Sequence, residues 1–365
     1  MIEKIYIKNA SVILPARILK NSSVTILGER VSSVGPVRNP PSGAKVIDAS
    51  GLYVAPGFID THIHGLPEDI FDNEIRYGTT SIVVALSCDS LPRLYAKVDR
   101  IKRFIDSNRL GGNVVGVRLE GPYINKLKSG AQDKSFIHRA DPRELIRILK
   151  RCGPLLKMMT VAPEIPGAGS IIKILKAHGV IASIGHSNAL YKEAVRGIDK
   201  GITHATHLFN AMRGMNRGYP GAADAVLADR RVIAEIILDM VHVNKECFAI
   251  AAKSKRPDKL VLITDSIRAD LKKGVWEKDG VYWVSKNVKA GSCLNMIGAV
   301  KNAVTLAGVS LIEAVRFVTL NPAKLFKIDK TKGSIAAGKD ADLVIFDKNF
   351  DVKMVMVRGR ISYHK

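Results

Sequence analysis

The chain has 365 residues, 56 Lys and Arg against 34 Asp and Glu for a formal net charge of +22, and a hydrophobic fraction of 47%. This length suits a barrel of about 250 residues with a smaller appended unit. No apolar run approaches the ~20 residues of a membrane helix, and residues 1–7 lack the apolar core of a signal peptide. We therefore expect a cytoplasmic protein without membrane segments.

The basic surplus would attract polyanions and phosphorylated small molecules alike. The basic residues are scattered in surface-helix patterns without a groove-reading motif or interleaved aromatics, which favours a solvated basic surface over a nucleic-acid partner. The four cysteines, Cys88, Cys152, Cys247 and Cys293, include no Cys-x-x-Cys pair. They indicate reduced thiols and neither a zinc knuckle nor a disulfide framework.

The two ends of the chain have the same β-rich texture. Short alternating segments occupy residues 4–8, 24–27 and 31–34 at one end. Similar segments at the other end cover residues 341–346, 352–358 and 361–363, with a turn at Gly359. We predict that residues 1–50 and 328–365 form one composite β-sandwich domain.

Between the two ends, strand-like runs alternate with amphipathic segments. The expected strands are 54–59, 80–86, 114–119, 158–161, 180–184, 202–205, 233–237 and 260–264. The expected helices are 91–107, 141–150, 170–178, 191–197, 298–306 and 311–320. Strand and helix repetition predicts an α/β fold with a closed parallel sheet, a (β/α)8 TIM-type barrel over residues 51–327.

A pair of histidines follows the first expected barrel strand. His62 and His64 are two residues apart, so on a strand both side chains point to the same face, where they can share a divalent ion. Barrel enzymes collect their chemistry at the carboxyl ends of their strands. The other ligands are therefore expected at the ends of later strands.

Three such residues are Glu120, His186 and His207. A carboxylate with imidazoles suits zinc or divalent iron, and open positions for water would make the site catalytic. His204 is interpreted as a packing or supporting residue. Lys157, as a carbamylated ligand, is a less favoured alternative because Glu120 already supplies an anionic bridge.

Asp265 follows the last expected strand, within reach of a water activated by the metal. We expect it to act as general base and then as general acid, carrying the proton to a leaving nitrogen. For each candidate residue by itself, a packing role or a helix cap is the favoured interpretation. Their joint occurrence at strand ends favours a metal site.

These residues lie in motifs that resemble the amidohydrolase superfamily, and within it the N-acetylglucosamine-6-phosphate deacetylase family. Matching motifs run nearly end to end and include Pro56-Gly57-Phe58-Ile59-Asp60 with His62 and His64, Leu119-Glu120-Gly121-Pro122, Gly185-His186-Ser187, Thr206-His207-Leu208-Phe209-Asn210-Ala211-Met212 and Thr264-Asp265. The resemblance implies hydrolysis of the N-acetyl group of an amino-sugar phosphate. It implies zinc or iron held mainly by Glu120, His186 and His207, with His62 and His64 for a second ion and Asp265 for proton transfer.

The resemblance also implies a set of substrate-binding residues. They are Ala131, Gln132, Asn210, Ala211, Arg217, Gly218, His242, Lys289, Ala290 and Gly291. Two positions depart from the family pattern: Gln132 stands where the family usually has a carbonyl-polarising His, and Gly218 where it has a phosphate-gripping Arg, with Arg217 one residue early. The segment after His64 is also short. The family further implies a homodimer in which the Arg217 loop reaches a neighbour's site.

Two alternatives to this function stay open. One keeps the metal hydrolase but changes its substrate to a different acylated amino sugar or a cyclic amide, because the departures fall on substrate recognition. The other is a superfamily-derived scaffold without activity, suggested by the net charge and Gln132. The retained candidate ligands disfavour the scaffold, because a scaffold has no physical need for buried ionisable groups.

Overall fold

A computed structural model describes residues 3–268, 271 and 274–365. The strands in chain order are β1 Lys4–Ile13, β2 Ile18–Leu27, β3 Arg30–Pro36, β4 Lys45–Asp48, β5 Tyr53–Pro56, β6 Phe58–His64, β7 Thr79–Leu86, β8 Val114–Glu120, β9 Leu156–Val161, β10 Ile181–Ile184, β11 Ile202–Ala205, β12 Ile233–Ile236, β13 Leu260–Leu262, β14 Trp276–Lys278, β15 Val281–Ser285, β16 Val288–Ser292, β17 Leu343–Phe346, β18 Val352–Val357 and β19 Arg360–His364. The α-helices are α1 Pro67–Glu74, α2 Leu91–Ser107, α3 Pro142–Cys152, α4 Ala168–Ala177, α5 Tyr191–Lys200, α6 Ala222–Ala228, α7 Lys245–Ser254, α8 Met296–Thr305, α9 Leu311–Val318 and α10 Leu320–Leu325.

The chain divides into two compact units. The first comprises Met1–Asp60, Phe71–Ile82 and Asn295–Lys365, and the second Thr61–Ile70 and Val83–Leu294. The candidate site residues named above all lie in the second unit.

In the first unit, both ends of the chain build one sheet. Its strand order is β19-β18-β17-β5-β1-β2-β3, with β4 also paired to β1. Strand β1 is antiparallel to β2 and parallel to β4 and β5. A core that includes Ile7, Val24, Val54 and Ile345 draws on strands from both ends of the chain, which binds them into one domain.

The barrel sheet runs in sequential order from β6 to β13. All residues of β6 and β7 are buried, as expected for strands of a parallel sheet covered on both faces. The circle closes where Ile63 bridges Ser266. There the His64 amide donates to the Ser266 carbonyl at 2.9 Å, and the Asp265 amide donates to the His62 carbonyl at 2.8 Å. Closure therefore brings the first and last strand ends side by side.

The helices form because their apolar residues recur on one face. In α2 the buried side chains are Leu94, Val98, Ile101 and Phe104, spaced four, three and three residues apart. In α3 the carboxylate of Asp141 caps the free amides of the first turn. Each helix thus carries one buried face and one charged face.

The predicted TIM-type barrel with a terminal β unit is confirmed, but the first barrel strand was predicted wrongly. The run 54–59 was expected as one barrel strand. In the structure β5 pairs with β17 in the terminal sheet, and the barrel strand is β6. Gly57 separates them, and its amide donates to the Asp342 carbonyl at 2.7 Å. Both parts of the run 54–59 are apolar, so the hydrophobic pattern could not show that the run contains the ends of two different strands.

Two further differences concern local elements. The predicted helix 311–320 is two helices, α9 and α10, broken at Thr319, whose φ of −132° and ψ of −80° are not helical. Strands β14, β15 and β16 form a small antiparallel sheet that was not predicted as such. In the described part of the chain, no helix combines the length and apolar character needed to cross a membrane.

Candidate active site

Strand β6 presents His62 and His64 on one face, as the two-residue spacing predicted. Their ring centroids are 5.5 Å apart. His62 is fully buried and His64 is 4% exposed. The alternation of the strand therefore brings two imidazoles to the carboxyl end of the barrel.

Three other candidates sit just after strands, in left-handed backbone conformations. The φ angles are 46° at His186, 30° at His207 and 50° at Asp265. Such conformations are costly for residues other than glycine and persist where the surroundings hold them. At His186 the surroundings include Glu164, whose carboxylate accepts from the Ser187 hydroxyl at 2.8 Å. The turns direct His186 and His207 toward Glu120, and Asp265 toward His62 and His64.

Glu120 is the centre of this convergence. Its Oε1 lies 3.3 Å from His62 Nε2, 3.4 Å from His186 Nε2 and 3.2 Å from His207 Nε2. Its Oε2 lies 3.5 Å from His64 Nε2. Asp265 Oδ1 is 3.2 Å from the Nε2 atoms of both His62 and His64. Residues from five different strand ends therefore meet at one point.

The donor set fits divalent metal. Two groups of potential ligand atoms, each within 4.8 Å of one another, share Glu120: His62, His64 and Glu120, and Glu120, His186 and His207. Among the described residues, the buried Oε1 atom of Glu120 makes no hydrogen bond of good geometry, although three imidazole nitrogens lie within 3.4 Å of it. A carboxylate and several imidazoles at such spacing are ligands that zinc and divalent iron accept.

The electrostatics of the cluster also favour a cation. Burial raises the pKa of Glu120, but the charge of His62 and the close approach of the His186 and His207 imidazoles outweigh it and hold that pKa well below 4.5. Burial likewise raises the pKa of Asp265, and His62 again brings the net value below 3.8. Burial lowers the pKa of His62, but the surrounding carboxylates, Asp265 first, raise it to about 10. The carboxylates thus stay ionised and draw positive charge to this centre.

Gln132 is turned toward the same carboxylate. Its side-chain nitrogen donates to Glu120 Oε2 at 2.7 Å, and its oxygen accepts from the Cys88 amide at 2.8 Å. The Cys88 contact fixes which end of the amide faces Glu120, because a backbone N–H can only donate. Gln132 therefore restrains a candidate ligand.

A cavity of about 400 Å³ opens above the cluster. His64, Glu120, His186, His207 and Asp265 form part of its wall. The other predicted contacts that line it are Ala131, Gln132, Asn210, Ala211, His242, Lys289, Ala290 and Gly291. The last three lie on β16. Its size suits a small polar metabolite.

Arg217 and Gly218 lie elsewhere. Both are exposed, and in the described chain neither lines the cavity. Of the lysines and arginines that the structure describes, Lys128 and Lys289 line the cavity. The Lys289 ammonium donates to the Val241 carbonyl at 2.6 Å, next to His242.

Sequence reasoning missed two residues beneath the cluster. Arg118 and Glu235 form a fully buried ion pair, with Nη1 2.6 Å from Oε2. His204, predicted to be a packing or supporting residue, is also fully buried, with Nε2 3.5 Å from Glu235. The sequence did contain an indication of Arg118: it is two residues before Glu120 on β8, so both side chains lie on the same face of the strand.

The barrel and the cluster at its strand ends together define the amidohydrolase class, and comparison agrees. The family model described as "Amidohydrolase family" matches residues 53–362. The chain therefore belongs to the amidohydrolase family.

Within that family, the chain is similar to amino-sugar phosphate deacetylases. It is 31% identical to N-acetylglucosamine-6-phosphate deacetylase of Bacillus subtilis (strain 168), across 100% of this chain and 98% of that protein. It is 28% identical to N-acetylgalactosamine-6-phosphate deacetylase of Escherichia coli O157:H7, across 88% and 91%. The crystal structure of the N-acetylglucosamine-6-phosphate deacetylase from Pasteurella multocida superposes with a TM-score of 0.90 at 29% identity, covering 99% of this chain and 100% of that one.

Proposed function

We propose that the protein is a metal-dependent hydrolase that removes the N-acetyl group of N-acetylglucosamine 6-phosphate, giving glucosamine 6-phosphate and acetate. The observation that carries this proposal is the meeting of Glu120, His186 and His207 with Asp265 at the wall of a cavity of about 400 Å³. The names of the similar proteins support the same reaction.

Glu120, His186 and His207 would hold one divalent ion, zinc or iron, and His62 and His64 would complete a site for a second. When bound, such an ion acidifies water and polarises an acyl carbonyl. Asp265 accepts the proton of the attacking water, because its lowered pKa keeps the carboxylate ionised near neutral pH. It then delivers that proton to the nitrogen, which leaves as an amine.

The substrate-binding residues are assigned from the cavity and the family resemblance. Ala131, Asn210, Ala211 and His242 would contact the acetamido sugar and its phosphate, and β16 would close over it. Asp239 Oδ2 lies 2.6 Å from His242 Nδ1, which orients this imidazole. A homodimer would give the exposed Arg217 loop a place at the neighbour's cavity. The catalytic domain would comprise residues 51–327, and residues 1–50 and 328–365 the β-sandwich.

A panel of N-acetyl sugars tests this function. Acetate release is measured from N-acetylglucosamine with and without the 6-phosphate. We expect kcat/KM to be about 10- to 100-fold higher with the phosphate, the worth of one charge-assisted hydrogen bond of about 1.5–3 kcal/mol. Equal rates with both sugars would contradict the phosphate requirement, and no acetate from either would contradict the deacetylase.

A second candidate is the corresponding galactosamine 6-phosphate substrate. It is favoured by the similarity to the Escherichia coli relative. Including N-acetylgalactosamine 6-phosphate in the same panel decides between the two sugars. Metal analysis of the purified protein tests the shared part of both proposals, and at least one divalent ion per chain is expected.

A further inference from the structure

Beneath the cluster lies an ion pair with no direct access to solvent. Arg118 and Glu235 are both 0% exposed, and Nη1 of the guanidinium lies 2.6 Å from Oε2 of the carboxylate. Burying two charges costs several kcal/mol per ion before their attraction is counted. An apolar pair of similar volume would fill the same space at lower cost, so stability alone does not explain this pair.

The second oxygen of Glu235 contacts both groups of candidate ligands. Its Oε1 lies 2.7 Å from His62 Nδ1, and it accepts the backbone amide of His207 at 3.0 Å. One carboxylate therefore holds the ring of a residue from one group and the main chain of a residue from the other. His207 has a left-handed backbone, with a φ of 30°, so this support falls on a strained residue.

The contact with Glu235 decides which nitrogen His62 offers to the cluster. With Nδ1 directed at Glu235, only Nε2 faces the centre, 3.3 Å from Glu120 and 3.2 Å from Asp265. A metal-binding imidazole whose other nitrogen is bonded to a carboxylate has a fixed orientation and greater basicity.

Arg118 holds Glu235 in place from the opposite side. Its Nη1 also donates to the Thr61 carbonyl at 3.2 Å, and its Nη2 donates to the Thr206 hydroxyl at 3.0 Å. Thr61 and Thr206 are the residues directly before His62 and His207. The guanidinium thus fixes Glu235 and the two segments that carry the ligands.

We propose that Glu235, held by Arg118, is a positioning residue for the metal centre: it fixes His62 with Nε2 toward Glu120 and fixes the backbone at His207. This inference rests on the proposed metal-dependent function. It assigns a purpose to a buried charge pair that contacts no substrate.

The test is metal affinity in the Arg118→Met/Glu235→Leu double variant. This variant removes both charges, so neither charge is left buried without its partner. Zn²⁺ is titrated into metal-stripped protein against a competing chelator. We expect the Kd for Zn²⁺ to rise about 10- to 100-fold, the usual effect of losing a residue that orients a ligand. Glu235→Gln, which keeps an oxygen acceptor, should show an intermediate rise, and it carries the test if the double variant does not fold.

A matched control removes another buried ion pair. Lys332 and Asp342 in the first unit are 7% and 6% exposed. The Lys332→Met/Asp342→Leu variant should keep the wild-type Kd for Zn²⁺ even where its unfolding midpoint falls. If the Arg118 and Glu235 variants bind Zn²⁺ as tightly as the wild type, the positioning role is wrong while the proposed function stands. If the wild type itself binds no Zn²⁺, both proposals fail.

Discussion

The two oxygens of Glu120 have different surroundings, and that difference organises the site. Oε1 faces the Nε2 atoms of three histidines, whereas Oε2 accepts the Gln132 amide at 2.7 Å. A neutral amide restrains the carboxylate without competing for its charge as a cation would. Gln132 is therefore committed to a candidate metal ligand in this structure, and the acyl carbonyl would depend on other groups for polarisation.

At the scale of single residues, Asp265→Asn tests proton transfer. The amide keeps the size of the side chain but cannot carry a proton between water and nitrogen. We expect kcat for deacetylation to fall by about 100- to 10,000-fold. Metal content, measured on the same sample, should stay at the wild-type level. Wild-type turnover in this variant would remove Asp265 from the mechanism.

Lys289 and Arg217 compete for the role of phosphate anchor. Lys289 lines the cavity, where burial lowers the pKa of its ammonium, while Arg217 is exposed outside it. In Lys289→Met we expect KM for the 6-phosphate substrate to rise about 10-fold or more, with a small change in kcat, because one charge-assisted hydrogen bond is lost. Arg217→Met is the matched variant. An effect confined to Arg217 would instead favour a site completed by a second subunit.

At the scale of elements, the break between β5 and β6 depends on one glycine. A Cβ at residue 57 would overlap the Thr80 side chain, whereas a Cβ at Gly35 on β3 would meet no atom within 4 Å. Gly57→Ala should therefore lower the free energy of unfolding by about 1–3 kcal/mol through overpacking, and Gly35→Ala should leave it nearly unchanged. Denaturant titration of the two variants measures the difference. Equal stabilities would show that the neighbouring strand accommodates the methyl group.

At the scale of the whole molecule, the candidate metal centre joins residues from five strand ends, so binding of an ion there should contribute to global stability. An ion present at 100 times its Kd stabilises the folded state by about 2.7 kcal/mol. We expect a chelator to lower the thermal unfolding midpoint and Zn²⁺ to restore it. His207→Ala, which removes a candidate ligand, should lose most of this response. If neither the chelator nor Zn²⁺ changes the unfolding midpoint of the wild type, the proposed contribution of the metal to stability is wrong.

The sequence alone specified the barrel, the terminal β unit and the residue types that meet at the site. Because side chains alternate along a strand, the two-residue spacing placed His62 and His64 on one face. The position of active sites at the carboxyl ends of barrel strands indicated Glu120, His186, His207 and Asp265. These inferences succeed because they use only the order of residues along a strand and the common direction of parallel strands.

The tertiary structure decided which side chains from different strands contact each other inside the barrel. The pairing of Arg118 with Glu235 joins residues 117 positions apart, and no local pattern indicates which strands exchange such a contact. The exposure of Arg217, the commitment of Gln132 to Glu120 and the division of the first apolar run at Gly57 depend likewise on packing. Periodicity fixes the face of a strand on which a side chain lies, but the partner on the opposite face is chosen by closure of the sheet and by loop paths, which follow from long-range contacts.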